Sequence, residues 1–543
     1  MKLQTLFAVV AVLGGCAVDD KDPEAPAFDR NAPRVDIVTP ARGTIAGDVA
    51  TVHVTGTASD DVGIESVKVN GVPAAVAADG TWVAEVAVTP GTSLLHAIAF
   101  DAQGNQGEET RAVVAGPMVA LEGHVIDGIQ ATLSAPAMNA LGRGTATFIE
   151  NGGLMSIVQG MNPVVDAGGG PDCLYSQASI TSLTVGDADV VMGPTTSGIL
   201  VTSVLNDVRV GLHLQWAVSC LNDSRDVVVT AQRVNVQGLI AVAVADRKLD
   251  IRFNDSHVQL TGLDVQLPGV PDTVVQMLGL GNAISPILAS MTERLVVPMV
   301  SQQLAVLDDT RTIAVADAQV DVDVEPTQIS FSPRGAKITL DTSLRAHGDS
   351  GSYMFMPNSI PTLGMTHGFE LAVADDAANQ LLTSMWSAKA FDTTLDLRAS
   401  SYEQVNKLYD TVQLQLLLPP HVSADVRPLE LTIGDWIATF RSNDVATTVA
   451  IHAKTALYVV EGDDGKLRID VSTPAVTIDL VDDNDWMTKA QYDAIKAFAV
   501  AHITALGSAA VAAIPLPAIG DAQPTNLWVD PDAGYMLVVG DLK

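Results

Sequence analysis

The stretch from Asp485 to Lys543 constrains this chain most. Thr488-Lys-Ala-Gln491 has the Ser/Thr-x-x-Glu/Gln spacing of a capping box, which predicts a helix start. Behind it Tyr492, Ile495, Ala499, Ile503 and Leu506 recur at i, i+3, i+7, i+11 and i+14, one continuous apolar stripe. From Ala497 to Leu516 no side chain carries a formal charge, and His502 is the sole titratable group. Ile514-Pro-Leu-Pro517 ends the helix, because proline lacks the N–H and clashes with the preceding turn. A strand-like Asn526-Leu-Trp-Val529, a turn at Pro531-Asp-Ala-Gly534 and a second strand-like run, Tyr535 to Leu542, follow. Gly507, Ser508, His502 and the two prolines make the stretch a poor membrane span.

A chain of 543 residues has room for several domains, each with its own core. Aromatic residues are only 4% of it, so Val, Ala, Leu and Ile carry the packing, and abundant Val and Thr favour strands. The formal net charge of −33, from 30 basic and 63 acidic residues, argues against nucleic-acid binding, which needs clustered Lys and Arg. It also disfavours unassisted binding to anionic lipid surfaces.

The first sixteen residues read as an export signal. Met1-Lys2 is a short basic start and Leu6 to Val12 an apolar core of the right length. Leu13-Gly-Gly-Cys16 resembles the bacterial lipobox, which implies lipidation of Cys16. An acylated Cys16 exceeds the two-anchor threshold for stable membrane attachment. Ala rather than Asp at position 17 implies, by resemblance to enteric sorting, the outer membrane of a bacterial envelope. Residues 17–32 form an acidic linker, and 33–115 a first domain. There, short alternating runs are punctuated by Asn70-Gly71 and Asp79-Gly80, both hairpin turns, around a single Trp82. The pattern predicts a seven-strand sandwich and resembles bacterial immunoglobulin-like modules, with Phe100 to Asn105 as the last hairpin. Its default role is a spacer or an adhesive module. Asp60, Asp61 and Asp101 read as turn caps rather than calcium ligands.

From residue 118 the runs lengthen. Val208, Val210, Leu212 and Leu214 alternate with polar residues, the signature of a strand with one buried face. Val320, Val322 and Val324 alternate with Asp321, Asp323 and Glu325, which makes the acids one solvated strand face. A helix is predicted near Ser134 to Glu150 and a longer one from Pro271 to Leu307, bent at Pro286 and Pro298. On the longer one Ile284, Ile287, Leu288, Met291 and Leu295 form a stripe.

Three segments then recur in an order that resembles a known family. Phe369 to Asn379 followed by Leu381-Leu382 reads as strand then helix. Leu416-Leu-Leu-Pro-Pro-His-Val422 is a turn leading to Leu429 to Ile433. Lys466 to Val471 and Ala475 to Leu480 read as the last hairpin before the terminal helix. Together with the closing helix, Pro-x-Pro and two strands, they resemble the bactericidal/permeability-increasing and lipopolysaccharide-binding protein family, of the tubular lipid-binding superfamily. The likeness covers most of 326–543 and is looser over 118–325. It implies two lipid-binding barrel modules over those ranges, each an α+β unit with a curved antiparallel sheet around a long helix. The whole would then be an all-β immunoglobulin-like sandwich followed by α+β. The same likeness implies that the stripes from Ile284 to Leu295 and from Tyr492 to Leu506 line apolar tunnels. It also implies that Cys173 and Cys220 form a disulfide; two free thiols are the alternative.

No catalytic, cofactor or metal pattern stands out. The ten His never take a tight ligand spacing, and Gly348-Asp-Ser-Gly351 reads as a polar loop. The expected function is binding, with or without transfer, of a lipid or other apolar ligand by a membrane-anchored lipoprotein that is not an enzyme. The alternative is a structural or adhesive surface lipoprotein with no ligand. Few basic residues in 118–325 make lipopolysaccharide a poor candidate and a neutral or zwitterionic lipid a better one.

Overall fold

Alternation dominates the chain, and the fold is accordingly mostly β. The computed structural model describes residues 31–168, 174–277, 307, 310–315, 318–398, 402–425, 428–443, 445–461, 467–481, 487–511 and 524–542.

The N-terminal domain packs a four-stranded sheet on a five-stranded one, so it has nine strands where seven are expected. The two extra pieces are the two-residue strands Val72–Pro73 and Ala75–Val76, which follow the Asn70-Gly71 turn. Asn70 and Gly71 have φ of 50° and 80°, the left-handed pair that a tight hairpin needs. Trp82 is buried against Gly56, where a Cβ would come within 2.3 Å of the indole. Asp101, fully buried, accepts the backbone N–H groups of Gln103 and Asn105 at 2.8 Å each, so it organises its turn.

Beyond residue 117, where two barrel modules are expected, the described strands form one two-stranded pair and three larger sheets. A central seven-stranded sheet runs Thr310–Val315, Ala318–Ser332, Gly335–Ala346, Val125–Ser134, Phe369–Ala374, Tyr535–Leu542, Pro524–Asp532. It mixes strands from both expected modules, and position 325/326 falls inside one of them. The first flanking sheet is built on the long strands Gly198–Val218, Leu221–Ala245 and Lys248–Thr261. The second is built on Leu429–Ser442 and Val445–Glu461. Leu467–Val471 and Ala475–Leu480 do not form a hairpin with each other. Both pair with Val445–Glu461, one on each half of its length, because three residues between them carry the chain along the same edge.

Helices are few. Ala135–Glu150 starts one residue after Ser134, with proline in its first turn where the missing N–H costs nothing. Leu154–Gln159, Asp272–Met277 and Asp375–Ser387 are shorter, and Lys489–Val511 is the longest described. Of the long stretch expected over 271–307, only its first turn and Leu307 lie among the described residues. No described helix is long and apolar enough to cross a membrane.

The N-terminal domain is docked on the body instead of hanging from a linker. Met118–Ala120 pairs with Ser352–Met354, and Ala112, Val114, Met354, Met356 and Leu418 form a buried cluster across the junction.

Candidate functional site

Two apolar interiors flank the central sheet. They differ in how well they are closed.

The second interior is organised by the terminal helix, which starts as its sequence predicts. Gln491 N–H donates to Thr488 Oγ1 at 3.2 Å, and Thr488 N–H donates to Gln491 Oε1 at 3.0 Å, a complete capping box. Ile495, Ala499 and Ile503 point into the second flanking sheet, none more than 1% exposed. Tyr492 is half-buried under Lys496, and Leu506 lies in the same helix. Phe498 packs edge-on to Tyr402 and Phe440 and stacks on His502. Tyr402 Oη lies 2.9 Å from His502 Nδ1, and burial pushes the pKa of that imidazole down. Twenty buried residues make up this cluster, with nine partly buried ones around it. Here Tyr492, Ile495, Ala499 and Ile503 face the protein's own side chains, as in a close-packed core.

The first interior is less closed. Helix Ala135–Glu150 lies against strand Asp187–Thr195 at Gly142, where a Cβ would meet the Val190 carbonyl oxygen at 2.4 Å. Around this contact twelve residues are buried, among them Val190, Val201, Ile240 and Phe253. Thirteen more are only partly buried, including Met192, Leu205, Val236, Ile251 and Phe331. A second cluster, around Leu214, Trp216 and Val274, has nine of each. The first flanking sheet thus carries an apolar face that its described neighbours only half cover.

Several expected site residues lie outside the described residues, namely Cys16, Cys173 and the stripe Ile284, Ile287, Leu288, Met291 and Leu295. Cys220 sits at the tight turn between Gly198–Val218 and Leu221–Ala245, with φ of 65°. Leu174, next to Cys173 in sequence, pairs with Val218 across the strand ladder. In the loop Gly348 to Gly351, Asp349 accepts hydrogen bonds from the Ser384 and Ser387 hydroxyls at 2.8 and 3.1 Å, which ties the loop to helix Asp375–Ser387.

Two constellations escape a linear reading. His124 Nε2 lies 3.2 Å from Asp323 Oδ2 and 3.7 Å from Glu325 Oε2, three donors of metal-ligating type. Arg247 already pairs with Glu325, and Thr310 donates to Asp323 at 2.8 Å, so the group also works as an ion-pair cluster. Strand alternation identifies the two acids but gives no hint of His124. The second constellation surrounds Asp435, fully buried where the N-terminal domain meets the second flanking sheet. Its sequence signal is Gly434-Asp435 in mid-strand, the mark of an irregular step, and the register does shift between Ile433 and Trp436.

The fold defines a β-rich chain with an immunoglobulin-like domain docked on a body of three large sheets and one two-stranded pair. Residues 33–116 match the family model of glucodextranase domain B. No curated protein matches the chain. Among solved structures, it is similar to a lipopolysaccharide binding protein, with 11% identity over 77% of this chain and 99% of that one, at a TM-score of 0.39. It is also similar to P47 from Clostridium botulinum A2, with 8% identity over 76% and 97%, at 0.20. Latherin is similar over 34% of this chain and 98% of its own, with 14% identity at 0.14. At these scores the likenesses are too loose to carry an argument about function.

Proposed function

We propose that this chain is an exported lipoprotein, anchored to the outer membrane through Cys16, that binds a lipid or other apolar ligand, with or without transferring it. In this reading it is a binding protein and not an enzyme. The observation that carries the proposal is the half-covered apolar face of the first flanking sheet, beside a second interior filled by protein. Ligand chains lie on that face, along partly buried side chains such as Met192, Val236, Ile251 and Phe331. Each methylene taken from water contributes about 0.8 kcal/mol, so a sixteen-carbon chain offers roughly 12 kcal/mol before ordering costs. That suffices without a basic headgroup clamp, which suits a net charge of −33. A neutral or zwitterionic lipid fits best. A disulfide between Cys173 and Cys220 ties the sheet's end; the pairing of Leu174 with Val218 favours it.

The test is uptake of a fluorescent phosphatidylcholine by the wild type and by Ile251→Asp, with native mass spectrometry for co-purified lipid. Uptake by the wild type, reduced at least tenfold in the variant while the terminal-helix core keeps its unfolding transition, is expected. Wild-type protein that holds no lipid and takes none up overturns the binding reading in favour of a purely structural or adhesive lipoprotein. Cys16→Ser should leave the protein unattached to membranes, and non-reducing peptide mapping should recover residues 173 and 220 in one linked fragment.

A further inference from the structure

Six titratable side chains meet where the N-terminal domain docks on the second flanking sheet. Arg42, Glu109 and Arg111 come from the domain; Asp435, His452 and Asp479 come from three strands of the sheet. Arg42 reaches Glu109 at 2.9 Å and Asp435 at 3.0 Å, and Arg111 reaches Glu109 at 2.6 Å. Asp435 also accepts the Gly43 N–H at 2.8 Å. Two guanidinium groups are therefore balanced by two carboxylates.

Asp479 is left over. Its Oδ2 is buried, has no hydrogen-bond partner, and lies 3.5 Å from His452 Nε2. Ionised, it would add an uncompensated negative charge to a desolvated junction. His452 is fully buried, and its Nδ1 accepts the Asp435 backbone N–H at 3.2 Å. Arg42 Nη1, also only a donor, faces the other ring nitrogen, so the ring must offer a bare nitrogen and is neutral. Arg42 Nη1, 3.4 Å from Nε2, opposes any positive charge there. Burial, with Arg42 and Arg111 adding to it, holds the imidazole pKa down at about 3. Burial pushes the Asp479 carboxyl up to about 7, with Glu109 reinforcing it, against the pull of Arg42, the Thr110 backbone N–H and Arg111.

We propose that docking of the immunoglobulin-like domain moves a proton from His452 to Asp479, so that the domain is a clamp whose closure is insensitive to mild acidification. Apart, at mildly acidic pH, the pair is imidazolium and carboxylate; docked, it is imidazole and carboxylic acid. One N–H bond breaks and one O–H bond forms, and the number of bound protons is unchanged. Each group alone would make docking depend on pH, with opposite signs. The imidazole, lowered from 6.5, loses docking as pH falls below 6.5. The carboxyl, raised from 3.8, loses docking as pH rises from 3.8 towards 7. Between these limits the two slopes cancel. Arg42, Arg111, Glu109 and Asp435 are the other charged groups facing the pair, and they close their own balance.

Hydrogen exchange of the full chain from pH 4.5 to 7, corrected for intrinsic rates, reads the opening of segments 40–44 and 109–114. The wild type should show a flat opening equilibrium up to about pH 6.5. Asp479→Asn should open up to tenfold more per unit of pH decrease below about 6.5, and His452→Gln up to tenfold more per unit of pH increase up to about 7. Slopes of the same sign, or no slope in either variant, overturn the proposal. If the variants do not fold, the wild type decides through the assigned nitrogen-15 shifts of His452. A neutral ring at pH 5 supports the transfer, and an imidazolium there refutes it.

Discussion

Replacing Phe498 with alanine asks whether the terminal helix is seated in a closed core. Phe498 is 1% exposed, and its ring centroid lies 4.8 Å from Tyr402, 5.5 Å from Phe440 and 5.4 Å from His502. Deleting a fully buried phenyl ring costs about 3–5 kcal/mol, the transfer free energy of the lost atoms plus the cavity they leave. About 0.5–1.5 kcal/mol of that belongs to each edge-on ring pair. Tyr492, one and a half turns earlier and half-buried, should cost only about 1–2 kcal/mol as alanine. Urea unfolding followed by circular dichroism measures both, with unchanged slopes showing that the same structure is being lost. The variant should also gain affinity for a small apolar probe such as benzene, since an emptied apolar cavity stays dry. A loss below about 1.5 kcal/mol for Phe498→Ala, or a wild type that binds the probe as well as the variant, would refute the closed core.

Asp376, in the first turn of helix Asp375–Ser387, has its carboxyl buried and pushed up to about 7, chiefly by burial and also by Asp375 and Asp425, against the Met356 N–H that it accepts at 2.8 Å. A raised carboxyl favours the folded state most below pH 3.8 and loses that contribution as pH rises to about 7. Asp376→Asn keeps the acceptor and removes the titration, so its melting temperature relative to wild type should be higher at pH 8 than at pH 4.5, as measured by calorimetry. Gly142 and Gly144 share one helix, and alanine ordinarily favours a helix by about 1 kcal/mol over glycine. Gly144→Ala has open space and should stabilise the protein. Gly142→Ala meets backbone atoms of Val190 at 2.4 Å and should destabilise by about 1–3 kcal/mol, read in the same denaturation assay.

What the sequence showed was local. The capping box at Thr488, the helix after Ser134, the alternation through Val320 to Glu325 and the strand-to-helix change at Asp375 all depend on neighbours within a few residues. Strand partners do not. Nothing near Val125 to Ser134 says that it lies between Gly335–Ala346 and Phe369–Ala374. Leu467–Val471 and Ala475–Leu480 likewise read as a hairpin, when both pair with Val445–Glu461, the strand before them. The candidate sites follow this division. The Tyr492-to-Leu506 periodicity marks a buried face, but the same pattern serves a sealed core and a ligand channel, and only the neighbours distinguish them. Arg42 and Asp435 are separated by 393 residues, and His124 and Asp323 by 199, distances at which composition carries no pairing information.

The central sheet also bears on how the chain is made. Strand Val125–Ser134 is ready early in synthesis, yet its neighbour Phe369–Ala374 pairs on its other edge with Tyr535–Leu542, the last strand described. A polypeptide emerging from its N-terminus can finish the immunoglobulin-like sandwich by itself, since every strand of that domain lies before residue 116. The middle of the body has to wait, with strand edges unpaired, until residue 542 has been made. Deleting Tyr535–Leu542 would therefore leave an exposed edge at the centre of the molecule and should cause aggregation rather than a trimmed, working protein.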